Sequence, residues 1–363
     1  MSRQTAEVAV VGAGIIGVLT AWRLRSQGVD VLLVAPAGAG AATAASAAVV
    51  RTVCDEPLLA ARSLAWYREW DAGAGKPWQA LNCAGVAVVV PPESAPAAAV
   101  ARRLVTRRHS WPVGAPGEAP PALVAAGYQV RSGTVCWEPE AGYAHPGLMV
   151  LSVLRAFIRA GGRRMPGRVR SLRAAGRGWQ LSGPGLQIRA SRVLLATGAA
   201  TPRLLPEPLV CPVGSHPVAL GLFARPDRDW RCRPTVVDLA NGVLLRPVRA
   251  GLLGTVRGPG RSAAFLAGLQ AACWDLVPGL RGVGPNLVAE SNFDVTPDGQ
   301  PYLGAVADGL FVAYGFNGGG FKLAPALTEE IASMLVSGRP PAAFARFTPR
   351  AGRRVSSRLK GLR

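Results

Sequence analysis

The sequence predicts an α/β protein of two structural domains, and three features carry that expectation. At 363 residues the chain exceeds the size at which single hydrophobic cores usually divide. Near its start the apolar run Val8 to Val11 passes directly into Gly12-Ala13-Gly14-Ile15-Ile16-Gly17, then into a helical pattern through Leu19, Trp22 and Leu24. A second apolar strand, Asp30 to Val34, follows Gly28.

The first of these elements reads as strand, glycine turn and helix, the Rossmann-like arrangement. Gly12 permits the tight turn, Gly14 lets the backbone approach a pyrophosphate, and Gly17 lets helix and strand pack closely. The helix N-terminus then offers free N–H groups and the positive end of its dipole to a diphosphate. The second strand supplies the context that makes this glycine pattern a dinucleotide site. One expected part is missing, because the acid that ends this strand and holds the ribose hydroxyls is replaced by Ala35. Either another group holds the ribose or adenosine binding is weakened. The turn alone does not separate NAD from FAD.

The amino-terminal apolar run is too short to span a bilayer and is broken by glycines. No cleavable leader precedes it, so a cytoplasmic protein with no membrane partner is expected. Six cysteines, Cys54, Cys83, Cys136, Cys211, Cys232 and Cys273, lie far apart without a C-x-x-C pair or a neighbouring histidine. They read as reduced, mostly buried thiols, and no metal site is expected. The formal net charge is +20, carried almost wholly by arginine, with Lys76, Lys322 and Lys360 the only lysines. It admits an acidic partner, although a nucleic-acid face is disfavoured because no nucleic-acid motif accompanies it. The basic tail from Arg350 to Arg363 is expected to fray.

Further segments identify the cofactor. Val193-Leu194-Leu195-Ala196-Thr197-Gly198-Ala199 is an apolar strand ending in a small-residue turn. The carboxy-terminal part runs Thr296-Pro297-Asp298-Gly299-Gln300-Pro301-Tyr302-Leu303-Gly304, a strand from Gly309 to Tyr314, and Gly315-Phe316-Asn317-Gly318-Gly319-Gly320-Phe321-Lys322 before a helix. With the amino-terminal turn, Arg51, the helix around Arg62-Ser63-Leu64 and the segment Glu138-Pro139-Glu140-Ala141-Gly142-Tyr143, this order of parts resembles the D-amino-acid oxidase superfamily of FAD-dependent oxidoreductases, the glycine oxidase and sarcosine oxidase relatives.

The resemblance implies an FAD-binding domain in pieces, residues 1–85, 142–210 and 291–363, interleaved with an antiparallel-sheet substrate domain of residues 86–141 and 211–290. Composition agrees: Pro91 to Pro121 reads as helix and loop excursions, while Pro212 to Leu222 and Val236 to Thr255 hold short β-rich runs. The resemblance also implies cofactor contacts from Gly12, Ala13, Gly14, Ile15, Ile16, Gly17, Ala35, Ser46, Val169, Thr197, Gly198, Gly315, Asn317, Gly318, Gly319, Gly320, Phe321 and Lys322. Val169 sits where relatives contact adenine through the backbone. Gly318 to Gly320 let the main chain lie against a flat ring and aim N–H groups at its pyrimidine oxygens, aided by the dipole of the helix after Lys322. Ser291 stands where the sarcosine oxidases link their flavin through cysteine, so noncovalent FAD is expected. No counterpart of their oxygen-activating lysine is seen at Gly251 to Gly254.

Flavin accepts hydride at N5, so the protein must present a C–H bond over the ring and give any substrate carboxylate a fixed positive partner. Lys322 and Arg51 are the two best candidates by resemblance. Phe293 replaces the carboxylate-binding arginine of the glycine-oxidase branch, which favours a secondary or N-substituted amine or amino acid over a simple D-amino acid. Arg246 lies on a substrate-domain strand where it either faces the pocket or, the stronger expectation, the surface. His145 is expected to cap a helix start, while His109 and His216 fall in irregular segments, and no histidine is assigned to catalysis. The expected activity is oxidation of an amine or amino-acid C–N bond to an imine. Alternatives are a flavin subunit of a multi-component dehydrogenase, resembling hydrogen cyanide synthase or opine oxidase subunits, and an oxidase acting on an amine bound to an acidic carrier protein or to tRNA.

Overall fold

The computed structural model describes residues 2–37, 41–75, 80–91, 119–131, 133–206, 213–226, 229–256, 262–339 and 341–348. The expectations for Lys76, His109, Cys211, the tail and most of residues 91–121 lie outside the described residues. The chain forms two compact units: Met1–Ala44, Pro146–His216 and Asn292–Arg363 make the first, Ala45–His145 and Pro217–Ser291 the second.

In the first unit the central strand Ser2–Val11 pairs in parallel with Leu186–Leu195 on one side and Val31–Ala35 on the other. Arg163–Pro166 extends the parallel set beyond Val31–Ala35, and Leu310–Tyr314 extends it beyond Leu186–Leu195. Tyr302–Ala307 closes that edge antiparallel. Strands of a parallel sheet covered on both faces need apolar residues on both faces. Val31–Ala35 and Leu310–Tyr314 are accordingly buried at every position. The amino-terminal run is thus part of a longer strand, Ser2–Val11, followed by the helix Ile15–Ser26. Among the described residues no helix is long and apolar enough to cross a membrane.

An antiparallel meander, Ser171–Ala175 and Gly178–Gly183, continues from the outer half of Leu186–Leu195. Its inward row is apolar, with Leu181 and Ile188 at 0% and 1% exposure. Each such fully buried aliphatic side chain contributes about 1.5–3 kcal/mol.

The second unit is built on a mixed sheet in the order Asn286–Val295, Gly214–Ala224, Gly251–Val256, Val243–Val248, Thr235–Asp238, Val86–Val90, Thr134–Glu138. Thr235–Asp238 and Val86–Val90 are parallel, while neighbours on either side of them run antiparallel. The helix Ala263–Leu276 packs on this sheet, where a Cβ on Gly254 would lie 2.7 Å from Leu245 and 3.0 Å from Leu269. A smaller sheet joins Val49–Val50, Gly142–Ala144 and Leu81–Asn82.

Of the five described cysteines, none of them in a disulfide, Cys136 and Cys273 are buried while Cys83 and Cys232 are exposed. The expectation of mostly buried thiols is corrected. Cys83 follows the strand Leu81–Asn82 and Cys232 sits in a turn, both outside the sheets.

Candidate functional site

The amino-terminal turn in the first unit is fixed by close backbone packing. Gly12 takes φ +115°, and a Cβ there would meet the Ala196 carbonyl oxygen at 2.3 Å. Its N–H donates to Val34 at 2.9 Å, while Ala196 N–H donates to Val11 at 2.9 Å, so three strand ends converge on this point. A Cβ on Gly17 would lie 1.9 Å from the Gly12 carbonyl oxygen. Gly14 is the helix N-cap, with no side-chain cap and no acid in the first turn. Thr43, not singled out in the sequence, accepts the Ile15 N–H at 3.2 Å and lies 3.2 Å from a Cβ on Gly14. Ala13, Ile15 and Ile16 are buried, which leaves the main chain as their means of contact with a ligand, the Ile15 N–H being shared with Thr43. Donors without competing carboxylates, on a backbone with no room for side chains, form an anion cradle.

Ala35 ends its strand 4% exposed, and its carbonyl accepts the Gly167 N–H at 2.9 Å. Val169 is packed into the core of the same unit. Thr197 shares a hydrogen bond with Thr201 at 2.9 Å, and Gly198 takes φ +58°. Ser46, in the second unit, accepts the N–H of Ala48, a residue held at φ +49°.

The carboxy-terminal loop is held by two side chains. Asp294 is 7% exposed and accepts the Gly315 N–H, and its carbonyl accepts the Asn317 N–H at 3.0 Å. Burial raises the Asp294 carboxyl, and main-chain hydrogen bonds, that of Gly315 foremost, pull it back. Asn317 sits at φ +52°, accepts the Thr296 N–H at 2.8 Å and donates to the Gly315 carbonyl at 2.7 Å. A Cβ on Gly315 would reach Thr296 at 2.4 Å. Asp294 and Thr296 were not singled out as site residues. The signal was an acid and a hydroxyl residue flanking Val295, at the end of the strand Asn286–Val295.

The glycine run is only partly loop. Gly315 and Gly318 take positive φ, whereas Gly319 is the N-cap and the helix Gly320–Ser337 has already begun at Gly320. The helix therefore includes Phe321 and Lys322 instead of following Lys322. A Cβ on Gly319 would lie 3.3 Å from the Lys322 ammonium, which folds back over the loop. Phe321 is buried. The Phe293 ring lies 3.6 Å from a Cβ on Gly318, and it packs against His216 with centroids 5.0 Å apart. His216 is on the strand Gly214–Ala224, not in an irregular segment as expected. The strand coincides with the β-rich run expected over Pro212 to Leu222.

In the second unit Glu138 is buried and clamps the chain after Arg51. It accepts Thr52 N–H and Oγ1, each at 2.7 Å, and Val53 N–H at 3.0 Å. Burial raises its carboxyl, against the pull of these bonds and of the Arg51 charge. Arg51 itself has a buried Nη1 without a hydrogen-bond partner.

Arg246 overturns the surface expectation. It is 5% exposed, its Nε and Nη1 have no hydrogen-bond partner, and it makes no ion pair among the described residues. Its guanidinium lies 4.7 Å from the centre of the Tyr143 ring, and burial brings it down to about 10. The Tyr143 hydroxyl is likewise buried and unpartnered. His145 stands against Tyr143 at 6.0 Å and is held below its usual range by burial, then by the charges of Arg246 and Arg231. A buried cation without a counter-ion costs several kcal/mol, and the ring face offsets about 2 kcal/mol of it. An anion placed here would pair with the guanidinium and accept from the Tyr143 hydroxyl.

A family model described as DAO, FAD dependent oxidoreductase, matches residues 7–334. No curated protein matches the chain. Among solved structures, L-proline dehydrogenase from P. horikoshii is similar with a TM-score of 0.82 and 17% identity, over 96% of this chain and 98% of that one. Glycine oxidase from Geobacillus kaustophilus gives 0.80 and 23% over 96% and 100%. Iminodiacetate oxidase from Chelativorans sp. BNC1 gives 0.78 and 22% over 94% and 98%. At these identities the likeness is one of fold.

Proposed function

Because this chain belongs to the DAO family of FAD-dependent oxidoreductases, we propose that it oxidises the C–N bond of a carboxylate-bearing amine, a secondary or N-substituted amino acid, to an imine. The observation that carries this reading is the buried guanidinium of Arg246 with two unpartnered nitrogens. The residues present fit FAD, since the cradle at Gly12, Gly14 and Gly17 excludes side chains and leaves helix N–H groups for a pyrophosphate. Gly318 and the first residues of the helix Gly320–Ser337 would hold the isoalloxazine. Ser291 in place of a linking cysteine keeps it noncovalent. Bound FAD supplies the hydride acceptor.

Arg246 would hold the substrate carboxylate by charge-assisted hydrogen bonds from a fixed fork. The Tyr143 hydroxyl, buried and without another partner, adds a neutral donor. His145, held below its usual range by burial and then by the charges of Arg246 and Arg231, is disfavoured as a second cation beside the carboxylate. Arg51 and Lys322 are the remaining cations proposed toward the substrate, Arg51 with its main chain set by Glu138. Phe293 offers an apolar ring where glycine oxidases carry arginine, which leaves room for a substituent on the amine. Proline and iminodiacetate, named in two of the similar structures, are both secondary amines with carboxylates. The functional division into residues 1–85, 142–210 and 291–363 for FAD, with the rest for substrate, is part of the same proposal.

Anaerobic mixing tests it. N-substituted amino acids should bleach the flavin, whereas amines lacking a carboxylate and the matching hydroxy acids should not. Bleaching by a hydroxy acid alone would overturn the amine assignment.

A further inference from the structure

We propose that the outer face of the meander in the first unit docks an acidic protein. Between Glu140 and Glu207 the chain carries eleven arginines and no Asp, Glu or Lys, so this stretch holds much of the net charge. Register places Arg173 beside Gln180, Gln180 beside Arg189, and Arg189 beside Thr5, in one row across four strands. The next row along, Leu172, Leu181 and Ile188, points the other way into the core, as strand alternation requires. Arg173 and Arg189 are exposed, and neither makes an ion pair among the described residues. On this face the nearby carboxylate, Glu7, is already engaged by Arg192 at 3.8 Å.

Charge and spacing fit a protein helix better than a nucleic acid. Two interstrand steps separate Arg173 from Arg189 by about 9.6 Å, close to the roughly 10.8 Å between carboxylates two turns apart on an α-helix. The positions between them are uncharged hydrogen-bonding groups, Gln180 and Ser182 among them. No aromatic platform for base stacking is offered: Trp179, the aromatic of these strands, is 7% exposed and donates inward to Asp308 at 2.9 Å.

The FAD-loaded protein is titrated with fluorescent poly-L-glutamate and, separately, with bulk tRNA at physiological ionic strength. Arg173→Glu with Arg189→Glu should weaken poly-L-glutamate binding about tenfold, and the paired glutamine variants should give a smaller loss, all with unchanged flavin content. The control reversal of two exposed arginines elsewhere, Arg131→Glu with Arg281→Glu, should leave binding within about twofold. Absence of wild-type binding to poly-L-glutamate, or equal losses in the two double reversals, would overturn the proposal. So would tighter binding of tRNA that the Arg173 and Arg189 variants abolish.

Discussion

Asp294 holds Gly315 through its carboxylate while its main-chain carbonyl receives Asn317, so one buried residue fixes both sides of the turn that leads into the glycine loop. Asp294→Ala removes a charge-assisted bond worth about 1.5–3 kcal/mol. FAD affinity, read by quenching of flavin fluorescence, should fall roughly ten- to a hundredfold, while carboxylate affinity in protein saturated with FAD changes little.

The amino-terminal turn tolerates no side chain at Gly17. Gly17→Ala forces a Cβ to within 1.9 Å of a backbone oxygen that cannot swing aside, and should cost about 1–3 kcal/mol together with most of the bound FAD. Gly268, inside the helix Ala263–Leu276 with nothing within 4 Å of its Cβ position, is the contrasting case. Gly268→Ala should stabilise by about 1 kcal/mol, and thermal melts of the two variants separate these outcomes.

Replacing Arg246 separates stability from function. In the ligand-free protein an uncompensated buried cation is a burden, so Arg246→Met should leave the fold as stable or raise it by about 1–4 kcal/mol. Thermal melts with and without added carboxylate should then show ligand stabilisation in the wild type alone.

His145 gives the pH dependence. Its folded value is depressed below the ordinary 6.5, so the unfolded chain takes up the proton first as pH falls. Its contribution is complete above about 6.5 and is lost as pH drops through the lower folded value. Removing the Arg246 charge narrows that window, and the His145 ring-proton titration in Arg246→Met should shift upward.

The parts legible in the sequence were those written locally. Gly12 to Gly17 lie within one turn of chain, and their steric demands follow from spacing alone. Asp294 was passed over because its partner Gly315 is 21 residues away, a pairing no local pattern encodes. Arg246 was read as surface because strand alternation allows an arginine an outward seat. It is buried because Leu245 and Arg246 are both covered, at 0% and 5% exposure, on a strand with neighbours on both sides. Lys322 was read as preceding the helix because consecutive glycines read as loop, although the helix already begins at Gly320.

The most direct test of the account is a titration of the FAD-loaded protein with acetate, a carboxylate that cannot be oxidised, followed in the visible flavin spectrum. The wild type should give a saturable spectral change and Arg246→Met, with the same flavin content, should give none. Equal acetate affinity in the two proteins would contradict the assignment of Arg246 to the substrate carboxylate.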